Sequence, residues 1–321
     1  MSDVRIVVTG IGIVSPIGLT AASTWDALVK GKSGIAQITA FDPTDFETTI
    51  AAEVNDFEPE NYMDRKEARR ADRFSQLALA ATQEAVIQAG LEQEEPLGNR
   101  TSSLIASGVG GIITLSEQFG VLHEKGPKRV SPFLIPAMLI DMAAANVSMK
   151  FGARGPSFAT VSACASGADA IGSGYDLIKR GEIDIALCGG TEAPVCPIAL
   201  AGFNSVGALS KNNENPEGAS RPFDAQRDGF IIGEGASVLV IEKLSHALAR
   251  GATPLVELVG YGASSDASHI TQPAPFGEGG ARAMRQAIKS ANLNPVNVDY
   301  INAHGTSTAM NDKFETDAIK G

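Results

Sequence analysis

The sequence predicts an α/β protein built of layered, buried sheets. Two observations carry that reading. Short apolar runs alternate with helical stretches along nearly the whole 321-residue chain. Several of the runs are apolar on both faces, as in strands covered by helices above and below. The composition agrees: 44% hydrophobic and 20% charged residues is the balance of a folded protein with a large core.

Taken in order, "RIVVTGIG" (5–12) reads as a buried strand ended by glycines, and "TAASTWDALVKGKSG" as a helix closed by Gly31 or Gly34. "DRFSQLALAATQEAVIQAGL" (72–91) is the clearest helix. Phe74, Leu77, Ala81, Ala85 and Gln88 follow the helical period, and Gly90 is a natural stop. "SSLIASGVGG" is a strand running into a glycine turn, and "SPFLIPAMLIDMAAANVSMKFG" turns helical after two prolines. "SFATVSAC" is expected as a strand leading into the helix "ASGADAIGSGYDLIKRG", where Lys179, Arg180 and Gly181 form the stop signal. "IDIALCGGTEA" and "ASVLVIEKL" are strands. "PLVELVGYG", "EGGARAMRQAIKSANL" and "VDYINAHGT" give a further strand, helix and strand. Gly251-Ala252-Thr253-Pro254 is the expected joint between two parts, 1–251 and a much shorter 252–321.

The net charge of −11 argues against nucleic acid as a partner. Three cysteines, Cys164, Cys188 and Cys196, form no CxxC pair, and four histidines are scattered singly. Neither a metal site nor a disulfide framework is expected, which points to a reducing compartment. No apolar run approaches the length of a membrane span, and the N-terminus has no secretory pattern. The expectation is a soluble cytoplasmic protein.

Gly10-Ile11-Gly12 after a strand invites a dinucleotide-binding reading. Ser15-Pro16 stand where the fingerprint wants a small residue, and no acid is well placed further on, so a plain tight turn is expected. Cys164 is different. It can be a buried small hydrophobe, as cysteines often are. It also sits at a corner between strand and helix among Ala163, Ala165, Ser166 and Gly167, where a substrate can approach and a helix N-terminus favours thiolate. Such a thiolate could attack a carbonyl while backbone N–H groups hold the oxyanion. Cys188 reads as core, and Cys196, close to Pro194 and Pro197, as inert. Among the histidines, His123 and His246 read as solvated, while His269 lies in a polar loop. His304 follows a strand and precedes "GTST"; it reads equally as a polar loop residue and as a partner for Cys164. Lys66, Arg69, Arg70 and Arg73 are spaced to share one helix face, a local basic patch that is either a solvated face or a dock for an acidic partner.

"VVTGIGIVSPIG", "VSACASG", "GGTEAPV", "SRPFDAQRDGFIIGEGA", "SSDASHITQP" and "NAHGTSTAMNDKFE" together resemble the elongating β-ketoacyl-[acyl-carrier-protein] synthases, most closely the synthase II type, from residue 5 to the end. The resemblance implies a thiolase-like αβαβα fold of two similar halves, the second incomplete, working as a homodimer. It implies an acyltransferase that runs a decarboxylative Claisen condensation, with an acyl group carried on Cys164 and His304 hydrogen-bonded to the malonyl thioester oxygen. No cofactor of its own is implied, because the phosphopantetheine arm arrives on the acyl carrier protein. Val109 resembles a residue lining the acyl pocket and Phe203 one near the nucleophile. Thr306 and Thr308 match contacts to the pantetheine arm, and His269 and Thr271 fall in a substrate-binding motif. Lys66 matches a carrier-docking position, with Arg69, Arg70 and Arg73 beside it, whereas a docking arginine of the family is replaced near Gly207. Asp312 and Glu315 match family acids.

The family also carries a second catalytic histidine and a glycine-rich loop after "HGTST". Neither occurs before Gly321, so the 321-residue chain by itself is expected to be inactive in condensation. Three alternatives remain open from the sequence: a non-catalytic carrier-binding paralogue, a polyketide-type ketosynthase, and a CoA-using condensing enzyme. "HGTST" and "RDGF" weigh against the last.

Overall fold

A computed structural model describes residues 4–92, 96–270 and 272–321 of the chain. In chain order the elements are β1 (Ile6–Val14), α1 (Ala21–Val29), β2 (Ala36–Gln37), β3 (Ile50–Ala51), α2 (Arg65–Ala68), α3 (Arg73–Gln88), β4 (Thr101–Ala106), α4 (Ile112–Lys125), α5 (Leu134–Met138) and α6 (Met142–Phe151). They continue with α7 (Ser166–Lys179), β5 (Ile185–Glu192), α8 (Pro197–Val206), β6 (Gly235–Lys243), α9 (Leu244–Ala249), β7 (Val256–Leu258), α10 (Glu278–Ser290) and α11 (Ala309–Lys320). These residues form two compact units, each assembled from separated stretches of chain.

The first unit, which runs to Gly34 and includes Ala52–Ala199 and Gly233–Leu258, holds a five-stranded sheet in the order β4-β5-β6-β1-β7. Only β4 and β5 run parallel; the other pairs are antiparallel. Helix α3 lies on one face, in a core with Ile105, Leu187, Val238 and Val240. Helix α7 lies on the other, over the intervening positions Ala186 and Gly190 of β5, because successive strand side chains point to opposite faces. Both helices sit very close to the sheet, and small residues make this possible. A Cβ on Gly190 would come within 3.1 Å of the Gly167 Cα on α7.

Gly10-Ile11-Gly12 does not form the expected turn. It lies inside β1, which continues to Val14. A Cβ on Gly10 would lie 2.0 Å from the Ala85 carbonyl oxygen, and one on Gly12 1.7 Å from that of Ala81. The glycines are therefore spacers that let α3 cross β1 backbone to backbone. Gln88 and Glu84 of α3 accept the Ile11 and Ile13 N–H groups at 2.7 and 2.9 Å.

The second unit comprises Ile35–Ala51, Leu200–Ile232 and Val259–Gly321. It repeats the device. A Cβ on Gly260 would lie 2.5 Å from the Ala287 oxygen of α10, and one on Gly262 2.3 Å from that of Ala283. A Gly-x-Gly segment thus crosses an Ala-x-x-x-Ala helix face in each unit.

Several expectations need correction. "SFATVSAC" is not a strand. Ser157 makes one isolated bridge to Ser103, and beyond it Thr160 and Ser162 bond to Ser166 at the start of α7, so local side-chain bonds replace a ladder. Residues 298–304 likewise form no strand among the described residues. "PLVELVGYG" yields only the short β7. Helices α4 and α8 had no clear sequence signal. His246 is not simply solvated, because its Nδ1 lies 2.7 Å from Oε2 of buried Glu242, which Arg250 and Thr9 also hold.

Candidate active site

Cys164 is exposed, takes part in no disulfide, and sits in a one-turn 3₁₀ segment, Ala163–Ala165, that feeds directly into α7. Ala163 holds φ at +51°, a conformation costly for a residue with a Cβ. Side-chain bonds fix it there. Ser166 Oγ donates to the Ala163 carbonyl at 2.7 Å and accepts the Ser162 N–H at 2.9 Å, while Thr160 Oγ1 donates to the Ser166 carbonyl. Ser162 Oγ donates to Asp169 one turn into α7. The braced turn places Cys164 just ahead of the N-terminus of a 14-residue helix, whose dipole favours negative charge on sulfur. The other two thiols differ in environment: both are buried, and burial pushes both Cys188 and Cys196 up.

Val109 lies in the same unit, half-exposed on the wall of a groove of about 510 Å³. Ile112, Leu115, Met138, Ile140 and Val161 make the groove apolar. The backbone of Gly108, next to Val109, faces the back of the nucleophile turn: a Cβ on Gly108 would lie 3.6 Å from the Ala163 oxygen.

The basic patch changes shape. The helix breaks after α2, and Asp72 caps α3 afresh by accepting the Phe74 N–H; it also accepts the Thr114 N–H. Arg73 is consequently turned inward. It donates to both oxygens of buried Glu234 at 2.7 and 2.8 Å and to the Val54 carbonyl at 2.6 Å, so it is not part of the surface patch. Lys66, Arg69 and Arg70 are joined instead by Arg65 around a groove of about 370 Å³ that ends on Phe133, with the Arg70 guanidinium 4.2 Å above its ring.

In the second unit, His304 begins a loop that two acids of α11 hold by its backbone. Glu315 accepts the N–H groups of His304 and Gly305 at 2.6 and 2.8 Å. Asp312, almost fully buried, accepts the Ser307 and Phe223 N–H groups and pairs with Arg227 at 3.1 Å. "RPFDAQRDGF" and "AHGTST" are thereby locked together. The Thr306 and Thr308 hydroxyls lie 2.8 Å apart, and the Thr308 hydroxyl caps α11. Phe203 packs edge-on against Phe230 with ring centres 5.3 Å apart. His269 is exposed and accepts the Gln272 N–H at its Nδ1, while Thr271 lies outside the described residues. Sequence reasoning singled out neither Arg65 nor Phe133, and it gave no role to Arg227, which lies inside the "RDGF" stretch.

Residues 3–247 match the model of the beta-ketoacyl synthase N-terminal domain, and residues 255–321 that of the C-terminal domain. The chain belongs to the β-ketoacyl synthase family. This ketosynthase is 48% identical over 318 residues to a 3-oxoacyl-[acyl-carrier-protein] synthase 2 of Staphylococcus aureus, covering 99% of this chain and 77% of that relative. Its fold matches the ishigamide ketosynthase/chain length factor with a TM-score of 0.91 at 36% identity, over 99% of this chain and 77% of that one. A type II polyketide ketosynthase solved with its acyl-carrier protein superposes with a TM-score of 0.87 at 33% identity, over 99% of this chain and 78% of that one. The fold is therefore the thiolase-like ketosynthase fold with a mixed sheet. Among the described residues no helix is long and apolar enough to cross a membrane.

Proposed function

We propose that the chain is a 3-oxoacyl-[acyl-carrier-protein] synthase of fatty acid elongation, with Cys164 as its acyl acceptor. One observation carries the reading: an exposed cysteine held by a strained, side-chain-braced turn at a helix N-terminus, in a chain 48% identical to synthases of that name. The Cys164 thiolate attacks the thioester carbonyl of the acyl carrier. The bond to the pantetheine sulfur breaks, and the carrier leaves as its thiol. Malonyl carrier then loses CO₂, its carbanion attacks the acyl-Cys164 carbonyl, the new carbon–carbon bond forms, and the Cys164 thiolate is released. His304 supplies a hydrogen bond to the malonyl thioester oxygen. On the family likeness, Thr306 and Thr308 contact the pantetheine arm, His269 and Thr271 belong to the substrate-binding set, Val109 lines the acyl groove, and Phe203 is a pocket residue for the nucleophile.

Lys66, Arg69 and Arg70, with Arg65, receive the acidic carrier. Among the described residues none of Lys66, Arg69 and Arg70 has a carboxylate partner, and opposite charge favours encounter. The phosphopantetheine belongs to that carrier, not to this chain. We assign a homodimer and the cytoplasm on the family likeness, and propose the joint between the halves at 251–254; the two family matches, which end at 247 and resume at 255, support it.

The test is thiol release. The chain mixed with acyl carrier should release about one equivalent of carrier thiol per chain, and Cys164→Ala should release none. Equal release from both proteins would overturn the reading, and a chain that binds the carrier without release would be the non-catalytic paralogue.

A further inference from the structure

We infer that Glu192 is a positioning residue for acyl-chain selection: its carboxylate sets the Ser107–Gly111 turn that joins the acyl groove to the back of the Cys164 turn. The inference rests on the reading of Cys164 and the Val109 groove given above. Strands β4 and β5 are parallel neighbours with Ala106 opposite Gly190, so Glu192 and the turn after β4 emerge at the same sheet end. Glu192 Oε1 accepts the Ser107 hydroxyl at 2.7 Å. Its Oε2 accepts the N–H groups of Gly108 at 2.7 Å and Val109 at 3.2 Å. Ser107 Oγ in turn accepts the Gly110 N–H at 2.9 Å. One side chain thus organises, directly or through Ser107, three consecutive backbone donors.

The fit on the far side is equally tight. Gly110 has φ +71°, and a Cβ on it would lie 2.9 Å from the Ile140 side chain; one on Gly111 would lie 2.2 Å from the Ala137 oxygen. A Cβ on Gly108 would lie 3.0 Å from Glu192 Oε2. The turn is wedged between the carboxylate, the α5 end and the backbone of Ala163, and Val109 is its one side chain that reaches the groove. Among the described residues Glu192 has no cationic partner, and burial pushes its carboxyl up. A half-buried carboxylate without a cation is costly unless its donors are worth holding in place. Here those donors are the backbone of the groove wall.

The test compares the full chain with Glu192→Ala, Glu192→Gln and Ser107→Ala. Acyl transfer to Cys164 is followed by intact mass across carrier thioesters from short to long chains. Amide hydrogen exchange is followed over 107–111. Glu192→Ala and Ser107→Ala should change the long-to-short rate ratio by about tenfold, the discrimination a methylene-scale change in an apolar pocket produces. Both should also lose protection at Gly108 to Gly110. Glu192→Gln keeps an oxygen for the Gly108 and Val109 N–H groups and should stay close to the original ratio. A uniform slowing at every chain length, or an unchanged ratio, would overturn the inference while the acyl-acceptor reading stands. Should Glu192→Ala not fold, Ser107→Ala carries the same two outcomes. A parent chain that accepts no acyl group from any thioester defeats the acyl-acceptor reading first, and the inference with it.

Discussion

At Cys164 the chain spends conformational energy to expose a sulfur. Ala163 is held at positive φ, and Ser166 binds back on both sides of the turn to keep it there. Ser166→Ala removes both of those bonds and should lower stability by about 2 kcal/mol, read from the denaturant midpoint. Alkylation of the folded chain should modify Cys164 at least about a hundredfold faster than Cys188 or Cys196, because burial suppresses both access and thiolate at the other two. Equal rates would count against an activated turn. The corner ahead of a helix was legible in the sequence, beside an equal reading of Cys164 as a buried small hydrophobe; the bracing of the turn by Ser162 and Ser166 was not, because that stretch reads as a strand. Nor was Glu192. A glutamate at a strand end looks like any solvated acid until its partners, some eighty residues earlier in the chain, are brought beside it by the parallel pairing of β4 and β5.

At the scale of elements, the long helix 73–88 was legible from its apolar period, and its small residues gave no hint of what they met. Ala81 and Ala85 face the glycines of β1, so Gly12→Ala drives a methyl into the Ala81 carbonyl and should cost about 3 kcal/mol or abolish folding. The basic patch was half legible. Spacing placed four cations on one face, but spacing assumes one unbroken helix, and the fresh cap at Asp72 turns Arg73 away to Glu234. Two different outcomes follow. Lys66→Glu with Arg70→Glu should weaken carrier binding by about tenfold or more, with most of the difference lost at high salt, as measured by titration at two ionic strengths. Arg73→Ala should instead lower the melting temperature, because it leaves Glu234 buried without its cation.

Across the whole molecule, the same crossing of Gly-x-Gly over an Ala-x-x-x-Ala face recurs at Gly10/Gly12 and Gly260/Gly262. The sequence shows both pairs of glycines, but only packing reveals that they do the same job. The acid limb of stability should trace buried carboxylates. Burial pushes Glu242 up, yet hydrogen bonds from Arg250, Thr9 and His246 outweigh it and hold the carboxyl below its usual range. A depressed carboxylate stabilises the fold above its unfolded value, and that contribution is lost as pH falls through the folded one. The denaturant midpoint should therefore decline below about pH 4, the unfolded carboxylate range, and Glu242→Gln should flatten that limb. The most direct measurement of the central claim is where the acyl group goes. After reaction with acyl carrier, peptide mapping of the chain should find the thioester on Cys164 alone; acyl groups on Cys188 or Cys196, or spread over all three, would contradict the account.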